Sequence, residues 1–137
     1  MSVLHRYLLD TNVISELVRQ PAGTVATRIA EVGENSICTS IVVAAELRYG
    51  GTKSGSKQLS DRVSLLLSAI EILPLEPPAD QRYAEIRYHL SRQGTPIGPN
   101  DLLIAAHALA VDLTLVTENL REFERVPSLR VESWLPV

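Results

Sequence analysis

Apolar residues along this chain fall alternately into short continuous runs and helical stripes. Residues 4–9 form a short apolar run stopped by Asp10, the pattern of a buried strand. Thr11 or Asn12 then offers a cap for a helix whose stripe is Val13, Ile14, Leu17 and Val18. Residues 21–24 break the chain, and Thr24 caps a second short helix through about Ala30. Residues 36–39 read as a second strand. Ser40 caps a helix reaching Tyr49, where Gly50 and Gly51 stop it. Residues 51–60 are the most loop-like stretch and lead into a helix carrying Val63, Leu66, Leu67 and Ile70. Residues 72–75 are a third strand ended by Pro77 and Pro78, followed by a long helix over 79–93. Gly98 and Pro99 open the next helix, proline being favoured in a first turn. Residues 113–117 are a fourth strand and 129–134 a candidate fifth.

Strands separated by helical stretches of this length require crossovers, so the expected class is α/β with a mostly parallel sheet. The 137 residues fit a single domain, 1–137, and the pattern shows no internal repeat or long disordered tail. Open sheets of this kind bind ligands at the carboxyl ends of their strands. Asp10 sits at one such end, and Asn119 follows another.

Composition narrows the chemistry. A hydrophobic fraction of 45% with 21% charged residues is that of a folded soluble protein, and no apolar run is long enough to cross a bilayer. The first residues lack the layout of a signal peptide because Asp10 interrupts the apolar run, so a cytoplasmic protein is expected. One cysteine, Cys38, excludes an intramolecular disulfide and any multi-thiolate site, and reads as a small buried hydrophobe. His5, His89 and His107 are scattered, which argues against zinc hydrolysis and leaves hard oxygen ligands for any metal. The formal net charge of −3 neither attracts nucleic acid nor excludes it. Eleven of the thirteen basic residues are arginine, whose planar fork suits phosphate better than lysine's point charge.

Three acids stand out because their contexts are apolar. Asp10 ends a strand, and a capping role is open to it although Thr11 and Asn12 also offer caps. Glu46 has Val42, Val43, Tyr49 and Gly50 as helical neighbours, so its carboxylate lies within or beside a buried stripe. An ion pair with a distant arginine is the competing explanation. Asp101 lies in a first turn, where negative charge suits the helix dipole, but it shares a stripe with Ile104, Ala105 and Ala108. A desolvated carboxylate needs a partner, a raised pKa or a cation. Three together suggest a Mg²⁺ or Mn²⁺ site suited to phosphodiester hydrolysis. A phospho-accepting receiver domain fails for want of a strand-end lysine. A haloacid-dehalogenase-type phosphatase needs a second aspartate where this chain has Asn12.

Four segments carry a family resemblance: residues 7–17, residues 44–50, residues 98–108, and residues 115–119 with 121–123 after them. Together they resemble PIN-domain ribonucleases of the VapC toxin type, from bacterial toxin–antitoxin pairs, over essentially the whole chain. The resemblance implies a three-layer fold with a sheet of four to five strands, an acidic pocket binding Mg²⁺ or Mn²⁺, and endonucleolytic cleavage of RNA, tRNA among the plausible targets. Matched position by position, Asp10 and Asp101 hold the metal, and Glu46 acts on it directly or through water. Thr11 is the small hydroxyl beside the first acid. The fourth acidic position falls on Asn119, where many such domains have aspartate, so one catalytic position lacks charge and Glu118 or Glu122 compensates only in part. The resemblance also implies a homodimer, a cognate antitoxin that wraps the toxin and blocks the pocket, and operator DNA contacted only through that antitoxin. Residues 13, 14, 17 and 18 and the helix before Glu46 are either ordinary core or a groove for a partner helix. Arg48 and Arg121 are the candidates for holding RNA backbone at the rim. A catalytically silent partner-binding module and a DNA-directed nuclease are the alternative readings.

Overall fold

The computed structural model describes residues 5–135. Leu4, placed by the sequence pattern in the first strand, lies outside them. Five strands, β1 (Tyr7–Leu9), β2 (Ile37–Ser40), β3 (Ile72–Leu73), β4 (Thr114–Val116) and β5 (Val131–Glu132), form one sheet in the order β3-β2-β1-β4-β5. Every pairing is parallel, with Leu8 opposite Cys38 on one side and Leu115 on the other. The chain therefore builds outward from β1 to β2 and β3, then crosses back to place β4 and β5 on the far side. That reversal makes the β1/β4 seam the topological switch point, where an open parallel sheet leaves a crevice at its carboxyl edge.

Among the described residues seven α-helices flank the sheet: α1 (Thr11–Arg19), α2 (Thr24–Val32), α3 (Ile41–Ser54), α4 (Lys57–Ala69), α5 (Ala79–Gln93), α6 (Pro99–Ala110) and α7 (Leu120–Phe123). α5 packs on α6 and α3 on α4, while α1 meets α2, α3 and α4. The central strands are buried on both faces, as short parallel strands covered by helices must be. Leu8, Leu9, Val13, Ile14, Ile104, Leu115, Val116 and Phe123 are at most 1% exposed and form the centre of the core. Val13, Ile14, Leu17 and Val18 all belong to it, so the stripe of α1 is core first. Cys38 is buried in β2, and desolvation pushes its thiol up to about 12, so it is an inert packing residue. No described helix is long and apolar enough to cross a membrane.

The largest departure from the sequence pattern concerns Gly50 and Gly51. They do not stop a helix; α3 continues through them to Ser54 and ends at Gly55, whose φ of 71° is the left-handed geometry of a helix terminus. The expected loop shrinks to Gly55 and Ser56, and the Ser56 hydroxyl caps α4 by accepting from the Leu59 N–H at 3.1 Å. The glycine at 51 serves packing instead. A Cβ there would stand 3.0 Å from the Ser60 Oγ and 3.3 Å from its Cα, so any larger residue would push α3 and α4 apart by a few tenths of an ångström at this contact. A Cβ at Gly50 would meet nothing. Gly50→Ala should stabilise the protein by about 0.5–1 kcal/mol through helix propensity. Gly51→Ala gains the same but loses about 1–3 kcal/mol to overpacking. Urea unfolding of the two variants should rank Gly50→Ala above wild type and Gly51→Ala well below Gly50→Ala.

Candidate metal centre

Asp10 leaves β1 in extended conformation, with φ −78° and ψ 167°. Its N–H still donates to the Val116 carbonyl at 2.9 Å, so the backbone stays in register while the side chain emerges at the sheet edge. One carboxylate oxygen accepts from the Thr11 N–H at 2.8 Å. Asp10 is thus the cap of α1, and neither Thr11 nor Asn12 takes that part. The other oxygen accepts from the Thr117 hydroxyl at 2.7 Å, across the switch-point seam. Thr117 Oγ1 in turn accepts from the Asn119 N–H at 3.0 Å, which folds the loop after β4 toward the same edge.

Glu46, midway along α3, is half-buried at the margin of its stripe, with Tyr49 and Gly50 exposed beside it. No arginine pairs with it among the described residues. Instead one oxygen accepts from the Thr11 hydroxyl at 2.6 Å and the other from the Asn100 side-chain amide at 3.2 Å. Asp101 enters from the first turn of α6, above the buried Ile104, Ala105 and Ala108. α6 is itself tied to the start of α3. His107 Nδ1 lies 2.7 Å from the Ser40 hydroxyl, and that same oxygen caps α3 by accepting from the Val42 N–H. Burial holds the His107 pKa below its ordinary value, so the ring stays neutral inside the core.

One open pocket of about 360 Å³ is lined by Asp10, Thr11, Asn12, Ser15, Arg19, Glu46, Asp101 and Asn119. The four residues singled out from the sequence, Asp10, Glu46, Asp101 and Asn119, therefore meet in one place. Two expectations are corrected. Arg48 turns away to donate to Ser64 on α4 at 3.2 Å, and the rim cation is Arg19. Glu118 does not compensate for Asn119. Its carboxylate accepts from the Ser133 hydroxyl and the Trp134 and Leu135 N–H groups, clamping the chain end against the sheet. Glu122 does stand beside Asp101.

The crowding has an electrostatic consequence. The Asp101 carboxyl is pushed up to about 7 by desolvation, by a hydrogen bond with Glu122, and by the negative charges of Asp10, Glu122 and Glu46. Asp10 is raised by burial despite the hydrogen bonds from Thr117 and Thr11, with Glu46 adding repulsion. Among the described residues no three acidic, histidine or cysteine side chains already stand close enough to hold an ion unaided. A hard cation such as Mg²⁺ keeps most of its waters and takes only one or two carboxylates, so it does not require three in direct contact. The lining donors are all oxygens apart from the side-chain nitrogens of Arg19, Asn12 and Asn119, and the surplus negative charge is what such a cation would neutralise.

Sequence reasoning missed Asn100, Thr117, Ser15 and Arg19. Thr11, Ser15 and Arg19 recur every four residues on α1, a spacing that marks one helix face and was legible. Nothing local signals Thr117 or Asn100, whose partners lie 107 and 54 positions away.

A parallel α/β sheet with carboxylates from three elements converging at its switch point makes an acidic, oxygen-lined site of the kind that suits a divalent cation and phosphodiester chemistry. The PIN domain family description matches residues 7–129, and the chain belongs to that family, in the group of the VapC ribonucleases. It is 38% identical to Ribonuclease VapC2 of Rickettsia felis over 130 residues, spanning 93% of this chain and 97% of that protein. It is 37% identical to the tRNA(fMet)-specific endonuclease VapC of Shigella flexneri over 133 residues, spanning 94% and 98%. The fold is similar to VapBC2 from Rickettsia felis bound to a DNA fragment from their promoter, with a TM-score of 0.89, 37% identity, and coverage of 94% of this chain and 98% of that one.

The raised Asp101 pKa makes a stability prediction. Its folded value of about 7 exceeds the ordinary 3.8, so between these the folded state binds more protons than the unfolded one. Stability of the metal-free protein therefore falls as pH rises through that window. Asp101→Asn should raise the metal-free Tm at about pH 8 by roughly 2–5 °C, an advantage that disappears near about pH 4. Mg²⁺ at the higher pH should stabilise wild type more than the variant. Calorimetry of both proteins with and without the ion checks each point.

Proposed function

We propose that the protein is the toxin of a toxin–antitoxin pair, an endoribonuclease that hydrolyses RNA phosphodiester bonds with Mg²⁺, or with Mn²⁺ in its place. The observation that carries this reading is the convergence of Asp10, Glu46, Asp101 and Asn119 on one open pocket in a chain whose full-length relatives are named ribonucleases. Residues 1–137 act as one cytoplasmic domain.

Asp10 and Asp101 would hold the cation, and Glu46, oriented by Thr11 and Asn100, would engage it directly or through water. When bound, the ion lowers the pKa of a coordinated water and stabilises charge on the phosphate oxygens. Hydrolysis would join a water oxygen to phosphorus, break the ester P–O bond and pass a proton of that water to the departing ribose oxygen. The Asn119 side chain can accept a hydrogen bond from water but adds no charge, which favours one metal over two. A tRNA substrate is supported by the name of the Shigella flexneri relative.

A cognate antitoxin supplies control, and promoter DNA is contacted through it; a partner and DNA are supported by the similar VapBC2 from Rickettsia felis, which is bound to a DNA fragment from their promoter. An apolar groove of about 540 Å³ between α1 and α4 suits a partner helix. Leu17, Val18, Pro21, Leu65 and Leu66 line it, and Leu65 is 73% exposed. The functional unit is a homodimer joined by the antitoxin.

Cleavage of a total tRNA pool by the purified protein, in Mg²⁺ and in EDTA, tests the reading. Discrete cuts should require the metal and should fall by a factor of about 10³ or more in Asp10→Asn, which loses a metal-binding charge. Asparagine caps a helix as well as aspartate does, so the variant should keep its fold and its antitoxin binding. Cutting that survives in EDTA or in Asp10→Asn would remove the assignment, and a preference for single-stranded DNA offered alongside would redirect it.

A further inference from the structure

The pocket poses a problem that its carboxylates cannot solve. Asp10, Glu46, Asp101 and the adjacent Glu122 surround the point where a polyanion must approach, and a single divalent ion offsets only part of that charge. Among the described residues, Arg19 is the one cation that lines this pocket. Its side chain is 66% exposed, so it can be reached by a large substrate. It is also aimed: one guanidinium nitrogen, Nη2, donates to the Glu16 carboxylate one helical turn earlier, and that carboxylate is only 23% exposed. Among the described residues Glu16 is the one hydrogen-bond partner of the Arg19 side chain, which stands between the acidic pocket and the apolar groove of α1 and α4 and leaves Nε and Nη1 without a protein acceptor. Arg19 sits on the same face of α1 as Thr11 and Ser15, two turns along from the hydroxyl that holds Glu46.

We infer that Arg19 is the residue that grips an RNA backbone phosphate at the mouth of the acidic pocket, with Glu16 holding its guanidinium in place. This rests on the endoribonuclease reading above. A planar guanidinium with one side anchored presents its remaining donors as a fixed fork, the geometry that suits phosphate oxygens. Its loss should weaken substrate capture without touching the groups that hold the cation. It should act on all RNA sequences alike, because a phosphate contact reads no base.

The experiment is cleavage of the tRNA pool by full-length wild type, Arg19→Ala and Arg19→Lys across a range of NaCl concentrations, together with Mg²⁺-induced Tm shifts of the same proteins. Arg19→Ala should lower kcat/KM by about 10-fold or more and reduce the slope of log kcat/KM against log salt by about 1, the signature of one lost phosphate contact. Arg19→Lys should recover most of the salt slope and part of the rate. The Mg²⁺-induced Tm shift should be that of wild type in both. Wild-type kinetics and salt slope in Arg19→Ala would overturn the proposal while leaving the nuclease reading intact, as would loss of the Mg²⁺ shift along with the rate. Absence of metal-dependent cleavage by wild type would overturn the nuclease reading and this proposal with it.

Discussion

The hydrogen bond from Thr117 to Asp10 joins the two halves of the sheet where the chain reverses its direction of growth. Asp10 terminates β1 and Thr117 follows β4, so their 2.7 Å contact closes the crevice between neighbouring strands that are over a hundred residues apart in sequence. The same aspartate caps α1, and the same threonine hydroxyl sets the turn that brings in Asn119. With Asp10 4% exposed and each oxygen holding a donor, the carboxylate has little freedom to rotate. A rigid acid at the floor of an otherwise open pocket supplies a fixed point around which Glu46 and Asp101 are arranged.

Those two acids are placed by different means. Glu46 is held by side chains, through Thr11 and Asn100. Asp101 is held by its helix, whose buried face packs into the core and whose His107 is locked to the cap of α3. Burial and like charge push the Asp10 and Asp101 carboxyls up, which makes the metal-free site a liability for stability. Asn119 in place of a fourth acid limits that repulsion, and Glu122 restores some of it from α7.

The periphery shows how a small fold secures such a site. The Glu118 carboxylate takes two backbone N–H groups and a hydroxyl from the chain end, while Asn12 accepts from the Glu118 N–H at 3.2 Å. Trp134 packs edge-on against Tyr7 at 5.3 Å and lies under Arg28. The pocket's walls are therefore tied to both ends of the described chain. The acid next to Asn119 in sequence thus serves structure, because its carboxylate is engaged by Ser133, Trp134 and Leu135 and does not line the pocket.

The sequence by itself determined the parallel α/β class, every strand and α-helix but the short α7, and the three acids that meet at the pocket, since each rests on short-range signals. Apolar period separates strand from helix, a proline or serine opens a helix, and a charge interrupting an apolar stripe is visible within a few residues. The predicted helix over 79–93 coincides with α5 for the same reason. Only the tertiary structure decided what depends on distant partners. It decided that α3 continues through Gly50 and Gly51, and that Gly51 serves the packing of α4, because the close approach of Ser60 to Gly51 was invisible locally. It also decided that Arg19 and not Arg48 reaches the pocket, since a side chain's direction depends on which neighbour claims it, and Ser64 on α4 claims Arg48.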